Sequence, residues 1–310
     1  MASPKVSLEQ WRILHSIITE GGFAQAAQKL NKSQSAVSYA VAKMQEQLGM
    51  EILTIRGRKA ELTEAGELLL RRSRTLLEEA ENLEAAARSL NQGWEPTISI
   101  ASEVLFPTGI LMRALERLSE TAPHTRVEII ESVMSGTEDL ILQQAVDLAI
   151  CSGLPAGVSG VPLMDIQFNL VCSPDHPLAQ HQGKVTFQLL SRHRQIIVRD
   201  SGMSRRGQGG WQKAEQRWTF SNLGSARQAI VNGHGFAWMP TCLMSNELSS
   251  GHIIRLEMET PTKRQATLSL TQPNPDLVGP AARLLYDILL EEVVVHQNEF
   301  EKHQGQLAVG

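Results

Sequence analysis

The stretch NKSQSAVSYAVAKMQEQLG, residues 31–49, decides how the first part of the chain folds. Val37, Ala40, Val41, Met44 and Leu48 recur at helical spacing and so must face a core. Gln34, Ser35, Ser38, Ala42 and Lys43 fall on the opposite side, and Ser33 is placed to cap the helix. The free side is slim, uncharged at its N-terminal end and rich in short hydrogen-bonding groups. A helix that enters the major groove of DNA needs that shape: small residues permit close approach, and a Gln amide pairs with a base edge. Serine hydroxyls and the open N–H groups of the first turn suit phosphate oxygens. An ordinary amphipathic helix with an uncharged outer face reads the same way, so the helix alone does not choose.

Its neighbours do. Upstream, Leu8, Trp11, Ile13, Leu14, Ile17 and Ile18 follow a helical period that Gly21-Gly22 ends. A short helix with Phe23, Ala26, Ala27 and Leu30 on one side leads into a tight Asn31-Lys32 connection. Downstream, two β-prone pieces flank Arg56-Gly57-Arg58-Lys59, a basic turn. Two helices, a tight turn and a basic hairpin make a winged helix-turn-helix. Residues 29–74 hold nine basic and five acidic side chains, whereas the chain as a whole carries −4. Neutralising a phosphate backbone calls for such a local patch, since the bulk charge has the wrong sign.

From Thr63 to about Leu90 the helical period returns. Leu69, Leu76, Leu83 and Leu90 stand seven apart, with Ser73, Ala80 and Ala87 four after the first three. A leucine seam opposed by small residues, with Glu78, Glu79, Glu81 and Glu84 outside it, predicts pairing with a second copy of the chain. A long helix packed on its own domain is the alternative. NQGWEP, residues 91–96, breaks the helix and marks a domain boundary.

Beyond it, strand and helix patterns alternate. Strands are expected at 97–102, 126–132, 147–151, 168–173, 194–200, 235–240 and 265–272, with a last helix over 279–295 and a fraying polar tail. Alternation of this kind implies crossover connections and a mostly parallel sheet, an α/β architecture.

Composition narrows the class. At 310 residues the chain exceeds one ordinary core, and 42% apolar with 20% charged residues is the make-up of a soluble globular protein. Cys151, Cys172 and Cys242 are odd in number and widely spaced, which argues for a reducing cytoplasm and against zinc or disulfides. Glu9 and Arg12 interrupt the N-terminus before any apolar run, so no signal peptide or membrane span is expected. Enzymatic readings find no support. There is no His-x-x-x-His, no Gly-x-Ser-x-Gly elbow, and NGHGFAW has Trp238 where a dinucleotide fingerprint needs its third glycine. No catalytic residue, metal ligand or cofactor is assigned.

GGFAQAAQKLNKSQSAVSYAVAKMQEQLG and GRKAELTEAGELLL, with SPDHPLA (173–179) and IVNGHGFAWMPTCL (230–243), resemble the LysR-type transcriptional regulators over nearly the full chain. The spacing of Ala26-Ala27, Ser33-Gln34-Ser35, Ser38, Leu48-Gly49 and Leu62-Thr63-x-x-Gly66 carries that resemblance. It implies a winged helix-turn-helix over 1–66, a linker and dimerisation helix over 67–92, and a two-lobed effector domain over 96–300 like the periplasmic solute-binding proteins. The first lobe would hold 96–165 and 267–300, the second 166–266. The resemblance also implies Gln34 on base edges, Ser33, Ser35 and Ser38 on the backbone, and Arg56, Arg58 and Lys59 reaching the neighbouring minor groove, with Thr63 beside them. Two departures stand out. Ile52-Leu53-Thr54-Ile55 replaces the usual leucine-phenylalanine-x-arginine before the wing, and Met44-Gln45 replaces leucine-glutamate.

Implied partners are double-stranded DNA, a second copy (a dimer, with tetramers common in similar proteins), RNA polymerase and a small effector held between the lobes. Candidate effector residues sit at strand ends and helix starts. They are Ser102 and Glu103, Ser135 and Thr137 in an expected capping box with Glu138, Asp200 and Ser201 at a strand end, and Ser221 and Asn222 before a helix. For each serine a helix cap with no ligand is an equal alternative. Arg199, Arg205 and Arg206 hint at an anionic effector, although a solvated loop explains them too. Cys151 and Cys172 in apolar strands read as inert thiols. The rival to a regulator is a solute-binding protein whose helical head serves only assembly, and the basic 29–74 segment argues against it.

Overall fold

The computed structural model describes residues 4–56, 59–203, 210–260 and 264–307. Its contacts divide the chain into two units, residues 1–92 and 93–310.

In the first unit α1 (Leu8–Glu20), α2 (Phe23–Lys29) and α3 (Gln34–Leu48) are followed by β1 (Leu53–Arg56), β2 (Lys59–Leu62) and the long α4 (Glu64–Asn91). Each boundary has a local cause. Ser7 and Gln10 form a reciprocal capping box on α1, and Gly21 at φ 86° ends it. Asn31 takes φ 52° in the turn before α3, a left-handed conformation that Asn tolerates. Ile13, Leu14, Ile17, Ala26, Ala27, Val37, Val41, Met44, Ile52 and Leu53 close over one another as the core. β1 and β2 pair antiparallel, Leu53 opposite Leu62 and Arg56 opposite Lys59. Arg58 lies outside the described residues, as do the side chains of Arg56 and Lys59. Gly66 seats α4 against this core: a Cβ there would overlap the carbonyl oxygen of Ile52.

The leucine seam of α4 is used unevenly. Leu69 packs on the head core and Ser73 is buried, but Leu76, Leu83 and Leu90 are 48%, 73% and 53% exposed. An apolar stripe of about 32 Å, from Leu69 to Leu90, is therefore covered by its own unit only at the N-terminal end.

The second unit runs β3 (Thr97–Glu103), α5 (Thr108–Thr121), β4 (Arg126–Ser132), α6 (Ser135–Leu142), β5 (Leu148–Cys151) and β6 (Val161–Cys172). It continues with α7 (Phe187–Ser191), β7 (Gln195–Val198), β8 (Arg217–Phe220), α8 (Leu223–Val231), β9 (Ala237–Pro240), α9 (Ser245–Ser249), β10 (Ile254–Arg255), β11 (Arg264–Thr271) and α10 (Pro280–Leu307). Strands β4, β3 and β5 are parallel, and β7 pairs β8 in parallel. The other pairings, β5 with β11, β11 with β6, and β6 with β9 and β10, are antiparallel. The sheet is thus mixed rather than mostly parallel. The reason is topological: β6 carries the chain out of one lobe and β11 brings it back, so the two run against each other and against their neighbours.

One core cluster joins β3, β5, β11, α5 and α10 in the first lobe. Two others lie in the second lobe, around Ile196, Ile230 and Met239 and around Leu190 and Phe236. Glu292, nearly buried on α10, receives Arg113 at 2.8 Å and Arg117 at 2.9 Å, and those two guanidiniums hold its carboxyl below the usual range. Two further expectations change, and β8 is a strand outside those expected. β6 begins at Val161, seven residues before the expected start, where Pro162 and a register shift opposite Leu268/Ser269 break the alternation. β8 is mostly exposed and carries no alternating pattern to read. The last helix continues to Leu307, through a stretch rich in good helix formers. Among the described residues no helix is long and apolar enough to cross a membrane.

Candidate functional site

Two places gather the candidate residues, one in each unit. On α3, Ser33, Gln34, Ser35 and Ser38 are all exposed. Ser33 is the N-cap, its Oγ accepting from the Ala36 N–H at 3.2 Å and lying 3.0 Å from Ser35 Oγ. Gln34 and Ser38 make no hydrogen bond among the described residues. Tyr39, 70% exposed on the same face, is a large side chain that the sequence reading passed over. Its signal was present: an aromatic ring at a position the helical period leaves outside. Lys43 is held by Glu46 at 2.9 Å.

The departures from the family pattern acquire a structural meaning. Met44 is fully buried, and Gln45 Oε1 accepts from the N–H groups of Ile52 at 2.7 Å and Leu53 at 3.0 Å. The amide side chain therefore fastens the start of the hairpin to α3. Thr63 is likewise engaged: its hydroxyl donates to the Glu51 carbonyl at 2.9 Å and accepts from Gly66 N–H at 3.0 Å, capping α4. His15 Nε2 lies 3.0 Å from Ser73 Oγ, which donates to the Leu70 carbonyl, so α1 is tied to α4.

The second unit holds a cleft between its lobes with two cavities. The larger, about 740 Å³, takes in Ser102, Glu103, Ser201, Ser221 and Asn222 together with apolar walls such as Met112 and Met239. The smaller, about 350 Å³, shares Glu103, Val133 and Met239 and extends to Phe168, Trp238 and Arg264. Both have the size of small-molecule sites. Ser135, Thr137 and Asp200 line neither.

Many of the candidate polar groups are engaged with one another. Glu103 is buried and accepts from Ser152 N–H at 2.6 Å and Ser152 Oγ at 2.9 Å; burial pushes its carboxyl pKa up, against the pull of those bonds. Ser135 Oγ donates to Asp200 at 2.8 Å, and Asp200 also accepts from Gly202 N–H at 2.9 Å. Ser201 Oγ accepts from Val133 N–H at 2.9 Å, and Met203 N–H donates to Asp139 at 2.7 Å. Together these bonds latch the segment after β7 to the start of α6, across the lobes. Gly136 and Gly202 allow the approach, since a Cβ on either would overlap a serine hydroxyl opposite.

Two expectations are corrected here. Ser135 opens no capping box, because Met134, at φ 48°, takes the N-cap position without a side-chain bond and Ser135 turns to Asp200. Asp200 and Ser201 lie beyond the strand, which stops at Val198. Thr137 is fully buried against Ser132 Oγ at 2.8 Å, and Asn222 caps α8 through Ser225 N–H at 3.0 Å. Arg199 is exposed and lines neither cavity, and Arg205 and Arg206 lie outside the described residues. Cys151 and Cys172 are buried with thiols pushed up to about 12, consistent with inert thiols.

Comparison with known proteins falls on the same two units. Residues 8–67 match the bacterial regulatory helix-turn-helix protein, lysR family, and residues 91–294 match the LysR substrate binding domain. The probable HTH-type transcriptional regulator YhaJ of Escherichia coli K12 is 29% identical over 253 residues, 80% of this chain and 85% of that protein. Among solved structures, CrgA from Neisseria meningitidis superposes with TM-score 0.52 at 23% identity, covering 94% of this chain and 99% of that one. The Vibrio cholerae activator AphB gives 0.51 at 17%, covering 92% and 99%, so both share the fold. With the DNA-reading head and the two-lobed domain both matched in order along one chain, the protein belongs to the LysR family of bacterial transcriptional regulators.

Proposed function

We propose that α3 is the sequence-reading element and that the interlobe cleft holds the effector. The observation that carries this is the outer face of α3, where Gln34 and Ser38 stand exposed without a hydrogen-bond partner among the described residues. Gln34 reads a base edge; Ser33, Ser35 and Ser38 bond phosphates; Tyr39 packs beside them. Arg56, Arg58 and Lys59 supply sequence-independent attraction from the hairpin, with Thr63 holding the base of that hairpin. Ser102, Ser201, Ser221 and Asn222 offer polar contacts to an effector, while Ser135, Thr137 and Asp200 position the lobes.

The exposed Leu76, Leu83 and Leu90 support a homo-oligomer built on α4, which would present two α3 helices to an inverted-repeat site. Effector binding then shifts the population between two assemblies of the heads. The protein acts in the cytoplasm, with RNA polymerase as its onward partner, and is not an enzyme. The name of the relative YhaJ, a probable HTH-type transcriptional regulator, supports a regulator rather than an enzyme.

Titration of wild type and Gln34→Ala against a bound site and a scrambled duplex, at several salt concentrations, tests the assignment. Gln34→Ala is expected to lose about 1–3 kcal/mol of discrimination while keeping non-specific affinity and its salt slope. Unchanged preference refutes the reading.

A further inference from the structure

The two cleft cavities are lined by four charged side chains: Glu103, Glu131, Arg227 and Arg264. Three are accounted for. Glu103 has both oxygens on Ser152, Arg227 pairs with Glu247, and Glu131 is exposed to water. Arg264 differs. It enters the smaller cavity from the first residue of β11, and its guanidinium carbon stands 3.9 Å from the centroid of the Trp238 ring. Among the described residues it forms no ion pair and no hydrogen bond, so the indole face is its only strong contact.

The guanidinium is also held in place. Trp238 is braced by Trp211 at 5.7 Å and Phe236 at 6.0 Å. Gly210 approaches so closely that a Cβ there would stand 2.7 Å from Arg264 Nη1. Arg264 is half-buried, and that partial burial holds its pKa below the ordinary value. Around it the cavity is mainly apolar, with Phe168, Ile196, Val198, Leu223 and Met239 beside the polar Ser152, Gln195, Gln212 and Gln265. A planar guanidinium stacked on one face leaves its edge N–H groups in the fork that matches a carboxylate.

We propose that the smaller cavity binds an organic acid with an aromatic or otherwise apolar body, its carboxylate on the edge of Arg264 and its body against Trp238 and Phe168. The inference rests on the cleft being the effector site and goes further by fixing the charge and character of the ligand. A cationic ligand would meet a half-buried like charge that no ion pair among the described residues offsets. A neutral one would leave the guanidinium without a counter-ion.

The test uses the full chain and four probes: 2-naphthoate, benzoate, 2-naphthamide and 2-naphthylmethylamine, followed by calorimetry and by the thermal midpoint. Naphthoate is expected to bind more tightly than benzoate, and the amide and amine at least tenfold more weakly than naphthoate. Arg264→Gln should weaken naphthoate by about ten- to a hundredfold and leave the amide unchanged. Trp238→Leu should weaken every probe. Should Arg264→Gln fail to fold, Arg264→Lys carries the test: charge is kept but the fork is lost, so the acid weakens and the amide does not. No binding of naphthoate to the wild-type chain, or equal binding of acid and amide, overturns the proposal. Amide or amine binding that Trp238→Leu reduces and Arg264→Gln does not would keep a ligand in the cleft and discard the acid. Naphthoate binding indifferent to both substitutions would place the ligand elsewhere and discard the cleft as well.

Discussion

The outer face of α3 and the latch between the lobes contain the same kinds of side chain in opposite states. On α3, Gln34 and Ser38 are exposed and make no bond among the described residues. Between the lobes, Ser135, Asp200 and Ser201 bond to one another's elements at 2.8–2.9 Å. Free hydrogen-bonding capacity in water costs little, so a surface can keep it available for a partner. The same groups between two packed lobes must find partners within the protein, because leaving them bare would cost about 1–3 kcal/mol each. Polar residues at strand ends and helix starts are therefore ambiguous markers of a ligand site, and a polar helix face becomes informative only together with the turn and basic hairpin beside it.

The largest effect that would break this contrast lies beneath α3 rather than on it. Gly66→Ala drives a methyl into the backbone of Ile52, which cannot rotate away. It is expected to cost about 3 kcal/mol in the head unit, read as an earlier urea transition and lost DNA affinity. A head that unfolds at the wild-type midpoint would show that α4 and the hairpin are not locked as described. Asp200→Ala tests the other region. It removes the bonds to Ser135 Oγ and Gly202 N–H, and unfolding of the second unit should fall by about 1–3 kcal/mol. A change within error would mean that the latch contributes nothing to stability.

The smallest effect is a pH dependence seated mainly in the second lobe. His176 accepts from Leu178 N–H through Nδ1 and faces His193 at 5.4 Å, and burial first, then His193, lowers its pKa to about 4. The unfolded chain protonates near 6.5, so it binds the extra proton first as pH falls. Stability is complete above about pH 6.5 and declines toward pH 4, where the Arg-paired Glu292 adds its own loss below its usual range. A drop of about 2–4 °C in the thermal midpoint between pH 6.5 and 4.5 is expected, and a smaller one in His176→Asn, where His193 still contributes. A flat profile over that window would refute the buried, neutral imidazole.

How much was legible in the sequence follows from how local each signal is. The face of α3 depends on a 3.6-residue period within fifteen residues, and it survives folding intact. The leucines of α4 are as regular, and their exposure beyond Ser73 reports what the head leaves uncovered. The sheet was misread because β6 and β11 pair across a separation of about a hundred residues, and no local pattern states the direction of such a pairing. Arg264 and Trp238 were missed for the same reason. They lie on different strands, 26 positions apart, and become neighbours only where β11 and β9 flank β6.

Glu95 has a consequence for the order in which the protein is made. Its two carboxylate oxygens cap α10 through the N–H groups of Ala281 at 2.8 Å and Ala282 at 3.3 Å, 186 and 187 positions downstream. Leu285 and Leu289 of the same helix fill the first lobe's core. On a ribosome the head can close as soon as its ninety-odd residues emerge, while the first lobe waits, open at its base, for nearly the last helix to be translated. A truncation or stalled chain ending before residue 280 would thus carry a finished DNA-reading head on a sensor with no floor.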